Sequence, residues 1–251
     1  MGKAAILGRE TAIQEVYWTD DGWVRLVDGG NGPLEETEII TVGQVVQRKN
    51  TNFRDDFTGV LAKEWNTLRI LADDSWCDLS SREGYLRVIS GDSIQSLFEH
   101  HILAIRQKDF RFDAYTKIDY NPKTYNQMAG LLLYLNDGNY LYAYLTYDEV
   151  RGRVIRLMAC RDGEYTLLPD IIPTEEGEVE LKIEVDGPVG RFYYRMCEST
   201  FWQGIGESQD LLFLAGGFTG NFVGIAVHDM DRKNGSYADF DFFEYQGKDS
   251  L

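Results

Sequence analysis

The sequence predicts an all-β protein, built mainly as a two-sheet antiparallel jelly-roll sandwich. Three observations carry that expectation: persistent period-two alternation, frequent turn signals between the alternating stretches, and almost no helical period. No internal repeat and no low-complexity tract interrupts the pattern.

From Ile6 to about Val46 the chain does not read as a domain. Thr11–Trp18, an Asp20-Asp21-Gly22 turn, Trp23–Val27 and a Gly29-Gly-Asn-Gly-Pro33 loop spell two strands around a hairpin. A two-stranded hairpin is marginal in isolation. Its two tryptophans therefore imply a docking surface, either the following domain or something outside this chain. Val42–Asn52 reads as a polar linker, and Phe53-Arg-Asp-Asp-Phe57 begins a new pattern.

Beyond the linker the strands follow in order. Phe110, Phe112, Ala114 and Ile118 share one face, opposite Arg111, Asp113, Lys117 and Asp119. Val179, Leu181, Ile183 and Val185 alternate with Glu180, Lys182, Glu184 and Asp186. Both stretches read as half-solvated antiparallel strands. Met128–Leu135 is apolar on both faces, which predicts a central strand covered on each side. Tyr140, Tyr142 and Tyr144 form a one-faced ladder that fits cross-strand packing better than sugar stacking. Turns are expected at Asn136-Asp-Gly138, Arg161-Asp-Gly163, Asp186-Gly-Pro188 and Asn234-Gly235. Near the end, the glycine-rich stretch Leu214–Gly220 presents Phe218 on a loop and then feeds a strand, a polar turn and the closing strand Ala238–Tyr245.

Composition bounds the function classes. At 251 residues with 43% hydrophobic content the chain can bury a substantial core. A net charge of −16 argues against a nucleic-acid backbone or an anionic membrane surface as partner. Neutral sugars suit both that charge and the supply of aromatic surface, 15 Tyr, 13 Phe and 5 Trp. Cys77, Cys160 and Cys197 are an odd number without metal-type spacing, so reduced thiols and a cytoplasmic setting are expected. Neither a secretory signal nor a membrane span is legible.

No catalytic triad, phosphate-cradling loop or helical His pair can be read from the sequence. His100 and His101 would point to opposite faces of a strand, so they cannot share a metal without a bulge. His228, at the end of an apolar strand, is expected to be a hydrogen-bonded structural residue in preference to a base. Asp239-Phe-Asp241 with Glu244 is an acidic run whose first two carboxylates would share a strand face at roughly 6.8 Å, about 3.4 Å of rise each. That spacing is tolerable for glycoside hydrolysis, which needs two carboxylates about a scissile bond. A solvated edge, or a structural calcium held by Asp241 with Asp55 or Asp56, is the preferred use of the run.

A resemblance sharpens these readings. Leu7-Gly-Arg-Glu-Thr-Ala-Ile-Gln14, Trp18-Thr-Asp-Asp-Gly-Trp23 and Gly29-Gly-Asn-Gly-Pro33 resemble the end of the catalytic propeller in β-xylosidases of glycoside hydrolase family 43. Asp55-Asp-Phe57, Trp65-Asn-Thr-Leu-Arg69, Gln127-Met-Ala-Gly-Leu131, Asn139-Tyr140, Gly217-Phe-Thr-Gly220, Phe222-Val-Gly224 and Ala238-Asp-Phe-Asp241 resemble, in order, the concanavalin A-like sandwich that follows it.

The resemblance implies a propeller-derived segment over residues 1–48, a linker to about 52, and a sandwich over 53–248. It implies inverting hydrolysis of β-1,4-linked xylo-oligosaccharides by a five-bladed propeller. That propeller's base, orienting aspartate and acid lie upstream of Gly8-Arg9-Glu10-Thr11, outside this chain. The chain is therefore expected to be inactive alone, with no catalytic residue, no required cofactor and at most a structural calcium at Asp56 and Asp241. Arg9 would correspond to an arginine that reaches the sugar, and Phe218 to an aromatic that the sandwich lends to the pocket wall. Pairing of Arg9 with Glu10, or Phe218 folded onto its own sandwich, stands as the plainer use of each. A separately encoded propeller chain and a second copy of this chain are the expected protein partners, and a stand-alone carbohydrate-binding (lectin-like) module is the alternative.

Overall fold

A computed structural model describes residues 6–9, 11–38, 50–196, 199–231 and 235–248. The chain divides into two compact units: Arg9–Lys49, and Asn50–Leu251 together with Met1–Gly8. Most of the expected linker, Glu10, Cys197 and Asn234 of the expected turn lie outside the described residues.

In the small unit, β1 (Val16–Trp18) and β2 (Val24–Leu26) pair antiparallel, with Trp18 opposite Val24. Gly22 turns the chain between them at φ +80°, a conformation glycine adopts without a Cβ penalty. The hairpin forms where the alternation and the Asp-Gly signal place it. Trp18 and Trp23 are 73% and 62% exposed.

The large unit is the sandwich. In chain order it comprises β3 (Phe53–Asp55), β4 (Cys77–Asp78), β5 (Leu86–Ile89), β6 (Ile102–Arg106), β7 (Arg111–Asp119) and β8 (Gln127–Asn136). These are followed by β9 (Asn139–Asp148), β10 (Gly152–Arg161), β11 (Glu164–Leu167), β12 (Ile172–Pro173) and β13 (Val179–Asp186). The last are β14 (Val189–Met196), β15 (Gln203–Gly204), β16 (Gln209–Asp210), β17 (Phe222–Asp229) and β18 (Tyr237–Gly247), with a single 3-10 turn at Leu212–Leu214. One sheet has seven strands ordered β11-β10-β9-β8-β17-β6, with β12 beside β10. The other has nine, ordered β15-β14-β13-β7-β18-β5-β4, with β16 on β14 and β3 on β18. The ladders are antiparallel, as the polar-out alternation of β7 and β13 predicts.

The main core lies between the sheets. Leu131, Leu133, Leu141, Leu145, Val223 and Ile225 come from the seven-stranded sheet; Phe112, Leu181, Ile183, Phe240 and Phe243 come from the other. Burying residues of this size stabilises by about 1.5–3 kcal/mol each. A second cluster occupies the outer face of the seven-stranded sheet, where Leu132, Tyr140, Tyr142, Tyr144, Met158 and Cys160 pack with Ile94 and Ile102. That cluster explains why β8 is apolar on both faces. Cys77 and Cys160 are buried free thiols. Among the described residues no helix is long and apolar enough to cross a membrane.

Candidate functional site

The glycine-rich loop is anchored at both ends and exposed at its tip. Before it, the 3-10 turn buries Leu214; after it, β17 enters the core. The anchor at the second end is polar. Asn221 is 1% exposed and its Nδ2 donates to Gln107 Oε1 at 3.0 Å, while Gln107 N donates to Asn221 O at 2.9 Å. Asn221 N donates to Ile6 O, also at 2.9 Å. Gln107 and Asn221 carry no local signal in the sequence, because their pairing spans more than a hundred residues.

Ile6–Gly8 lies against this loop so closely that two glycines are required. A Cβ on Gly8 would stand 2.5 Å from Gly220 N, and one on Gly220 would stand 2.4 Å from the Leu7 carbonyl carbon. Both residues also have positive φ, +87° and +73°. Between these fixed points Phe218 is 76% exposed. Arg9, in the small unit, is likewise exposed.

The acidic run near the end of the chain is built differently from what its spacing suggests. β18 is an interior strand between β7 and β5, so the expected solvated edge is corrected to a sheet interior. A register shift between Phe240 and Phe242 also breaks the even spacing. Asp239 is 4% exposed and accepts from Arg87 Nε at 2.7 Å and Nη2 at 2.8 Å, with Arg82 Nη1 at 3.4 Å. Asp241 pairs with Lys117, which also reaches Glu178 at 3.2 Å. Burial pulls the Lys117 ammonium down, but the bonds to Asp241 and Glu178 more than offset it and hold the group above its ordinary value. Glu244 pairs with Arg54 at 2.6 Å. Each acid of the run has its own cation, an arrangement that braces a sheet.

The oxygens considered for calcium are engaged in the same way. Asp55 accepts from Phe57 N, Ala62 N and Trp65 Nε1 at 3.0, 3.2 and 2.8 Å. Asp56 accepts from Arg54 Nη2 at 2.6 Å, and Asp241 faces Lys117. A calcium site needs six to eight oxygens converging on one point. Among the described residues no group of three or more His, Cys, Asp or Glu side chains is arranged to hold a metal ion. The Asp55 contacts also give the Asp55-Asp-Phe57 and Trp65 motifs a structural role, since the carboxylate ties the start of the sandwich to the Trp65 ring.

The histidines divide as their alternation requires. His101 stacks on Trp76, with ring centroids 4.5 Å apart, and His100 faces His228 edge-on at 6.5 Å. His228 corrects the expectation of a hydrogen-bonded residue. It is 1% exposed, and among the described residues neither ring nitrogen has a hydrogen-bond partner. Burial pushes its pKa down to about 3, with His100 and His101 adding to the shift, so the ring is neutral at pH 7. The Tyr ladder packs across strands at Tyr140, whose ring stacks at 6.2 Å on its register partner Tyr134 of β8, while Tyr142 and Tyr144 stack along β9 at 5.0 Å and Tyr142 donates to Ala226 O at 2.9 Å.

Three comparisons bear on this geometry. The β-xylosidase C-terminal concanavalin A-like domain family matches residues 54–246. A putative β-xylosidase of Escherichia coli (strain K12) is 34% identical over 251 residues, covering 96% of this chain and 46% of that protein. The β-xylosidase of Bacillus subtilis (strain 168) is 30% identical over 253 residues, covering 96% and 47%. Among solved structures, the xylan β-1,4-xylosidase of Bacillus halodurans C-125 superposes with a TM-score of 0.89 at 36% identity, over 98% of this chain and 48% of that one. The chain thus spans about half the length of the curated relatives it matches.

Proposed function

Because the chain belongs to the β-xylosidase C-terminal concanavalin A-like domain family, we propose that it is the C-terminal accessory portion of a glycoside hydrolase that cleaves β-1,4-linked xylo-oligosaccharides. In this reading the sandwich lends Phe218 to the wall of a sugar pocket. The general acid and base belong to a catalytic propeller that lies outside these residues. The chain by itself is inactive, and its setting is the cytoplasm, which suits the buried free thiols Cys77 and Cys160.

The observation that carries the reading is the docking of Ile6–Gly8 on the Phe218 loop. The two glycines hold this contact at backbone distance, and Asn221 fixes the base of the loop. A rigidly held loop with an exposed aromatic tip suits a pocket wall, because an ordered ring loses little freedom when a sugar stacks on it. The ion-paired Asp239, Asp241 and Glu244 support the second half of the reading. General catalysis needs a proton donor and acceptor within reach of the bond, and these three face arginines and a lysine.

The test is complementation. Mixing the chain with a separately produced five-bladed propeller from a β-xylosidase of this family should create aryl β-xyloside turnover that neither part shows, and Phe218→Ala should weaken it about tenfold. Mixtures no more active than the propeller alone would overturn the accessory role.

A further inference from the structure

The outer face of the seven-stranded sheet is only partly filled by its second apolar cluster. A cavity of about 720 Å³ opens over it, within the range of about 300–1,000 Å³ typical of small-molecule sites. Tyr144 and Arg156, direct register partners on β9 and β10, line it together with Met158 and His228. Tyr125 and Tyr165 line it as well and are 59% and 61% exposed.

Two polar groups that line this cavity have no hydrogen-bond partner among the described residues. Arg156 is half-buried, its Nε is buried without a hydrogen bond, and no hydrogen bond or ion pair among the described residues uses its guanidinium. His228, almost wholly buried, lines the same space with both nitrogens unpartnered. Buried polar groups are costly unless they are satisfied, so an arginine fork without a partner at a cavity points to a ligand that completes it, whereas the His228 nitrogens offer such a ligand no accessible surface.

The surroundings narrow the ligand. Asp148 and Glu149 also line the cavity and the chain carries a net charge of −16, which disfavours an anion despite the arginine. A polyhydroxyl ring suits what remains. Hydroxyl pairs accept from a guanidinium fork, and exposed tyrosines offer faces on which a pyranose ring can stack.

We propose that this cavity is a second, non-catalytic binding site for a neutral pyranose sugar, recognised by Arg156 and by stacking on Tyr125 or Tyr165. The site is separate from the Phe218 loop. Only the choice of a xylose polymer as its natural ligand rests on the function proposed above.

Calorimetric titration of the chain with xylohexaose, and in parallel with cellohexaose, tests it. Saturable binding of xylohexaose is expected. Arg156→Leu and Tyr165→Ala should each weaken it at least tenfold with the melting temperature unchanged for Tyr165→Ala, while Phe201→Ala, at an exposed ring away from the cavity, leaves the affinity as it was. Saturable binding of cellohexaose alone, with the same response to the variants, would support the sugar site and count against the xylan reading. Absence of saturable heat with both sugars overturns the proposal, as does binding that survives both cavity variants.

Discussion

The hairpin unit and the sandwich unit are written in the same strand-forming residues, yet among the described residues only the sandwich has an interior. In the hairpin, Val16, Tyr17 and Trp18 are all exposed. In β18 of the sandwich, Ala238, Phe240, Phe243 and Tyr245 are fully buried between two sheets. Alternation sets a strand's faces in both cases. What differs is the supply of a second layer, and stability follows the second layer.

That contrast can be broken most forcefully in the core. Phe240→Ala should cost about 3–5 kcal/mol, read as a lower denaturant midpoint at unchanged slope. A loss below about 1 kcal/mol would mean that the two sheets do not close over it. Next in size is the seam at the loop. Gly220→Ala combines a strained φ of +73° with a Cβ 2.4 Å from the Leu7 carbonyl carbon, and should cost about 2 kcal/mol or more. Proteolysis at the Leu214–Asn221 loop should accelerate in the same variant, and an unchanged cleavage rate would contradict the docking.

The buried histidine gives a smaller and pH-dependent effect. His228 has its folded pKa pushed down to about 3, against about 6.5 unfolded. The unfolded chain therefore takes up the proton first, and stability falls as pH drops from about 6.5 toward 3. The slope for one such group is at most about 1.4 kcal/mol per pH unit. His228→Phe should remove one proton's worth of this slope, with the part from His100 and His101, both also lowered by burial, remaining. A slope unchanged between pH 6 and 4 would contradict the burial.

The smallest effect is expected in the hairpin. Trp18→Ala, at a ring 73% exposed, should change the stability of the chain by less than about 0.5 kcal/mol. A large loss would erase the distinction between the units.

The sequence was informative wherever a local period decides the outcome. β13 could be read residue by residue, because a strand with one face on a core must alternate, but β7 only in part: Phe110, expected on the core face, precedes the strand and is exposed, and Asp113, expected in solvent, is buried. The doubly apolar β8 and the Tyr140–Tyr144 ladder were legible for the same reason. Partnerships made across the fold were not. Asp239 looks solvated until Arg87 on β5 and Arg82 are brought beside it, and the bulge between Phe240 and Phe242 cannot be seen without the partner strand. His228 looked hydrogen-bonded because buried polar groups usually are. In the fold its ring is instead packed edge-on against the rings of His100 and Tyr142, contacts made across strands. The pairing of Gly8 with Gly220 spans the length of the chain, and nothing in either glycine announces the other.

The central claim is that hydrolysis needs carboxylates these residues do not supply. It is tested most directly by assaying the pure chain for release of the aryl group from an aryl β-xyloside. The account predicts a rate indistinguishable from the uncatalysed background, unchanged by Asp239→Asn or Glu244→Gln. Substantial turnover that disappears in either variant would contradict it and assign the chemistry to the acidic run of β18.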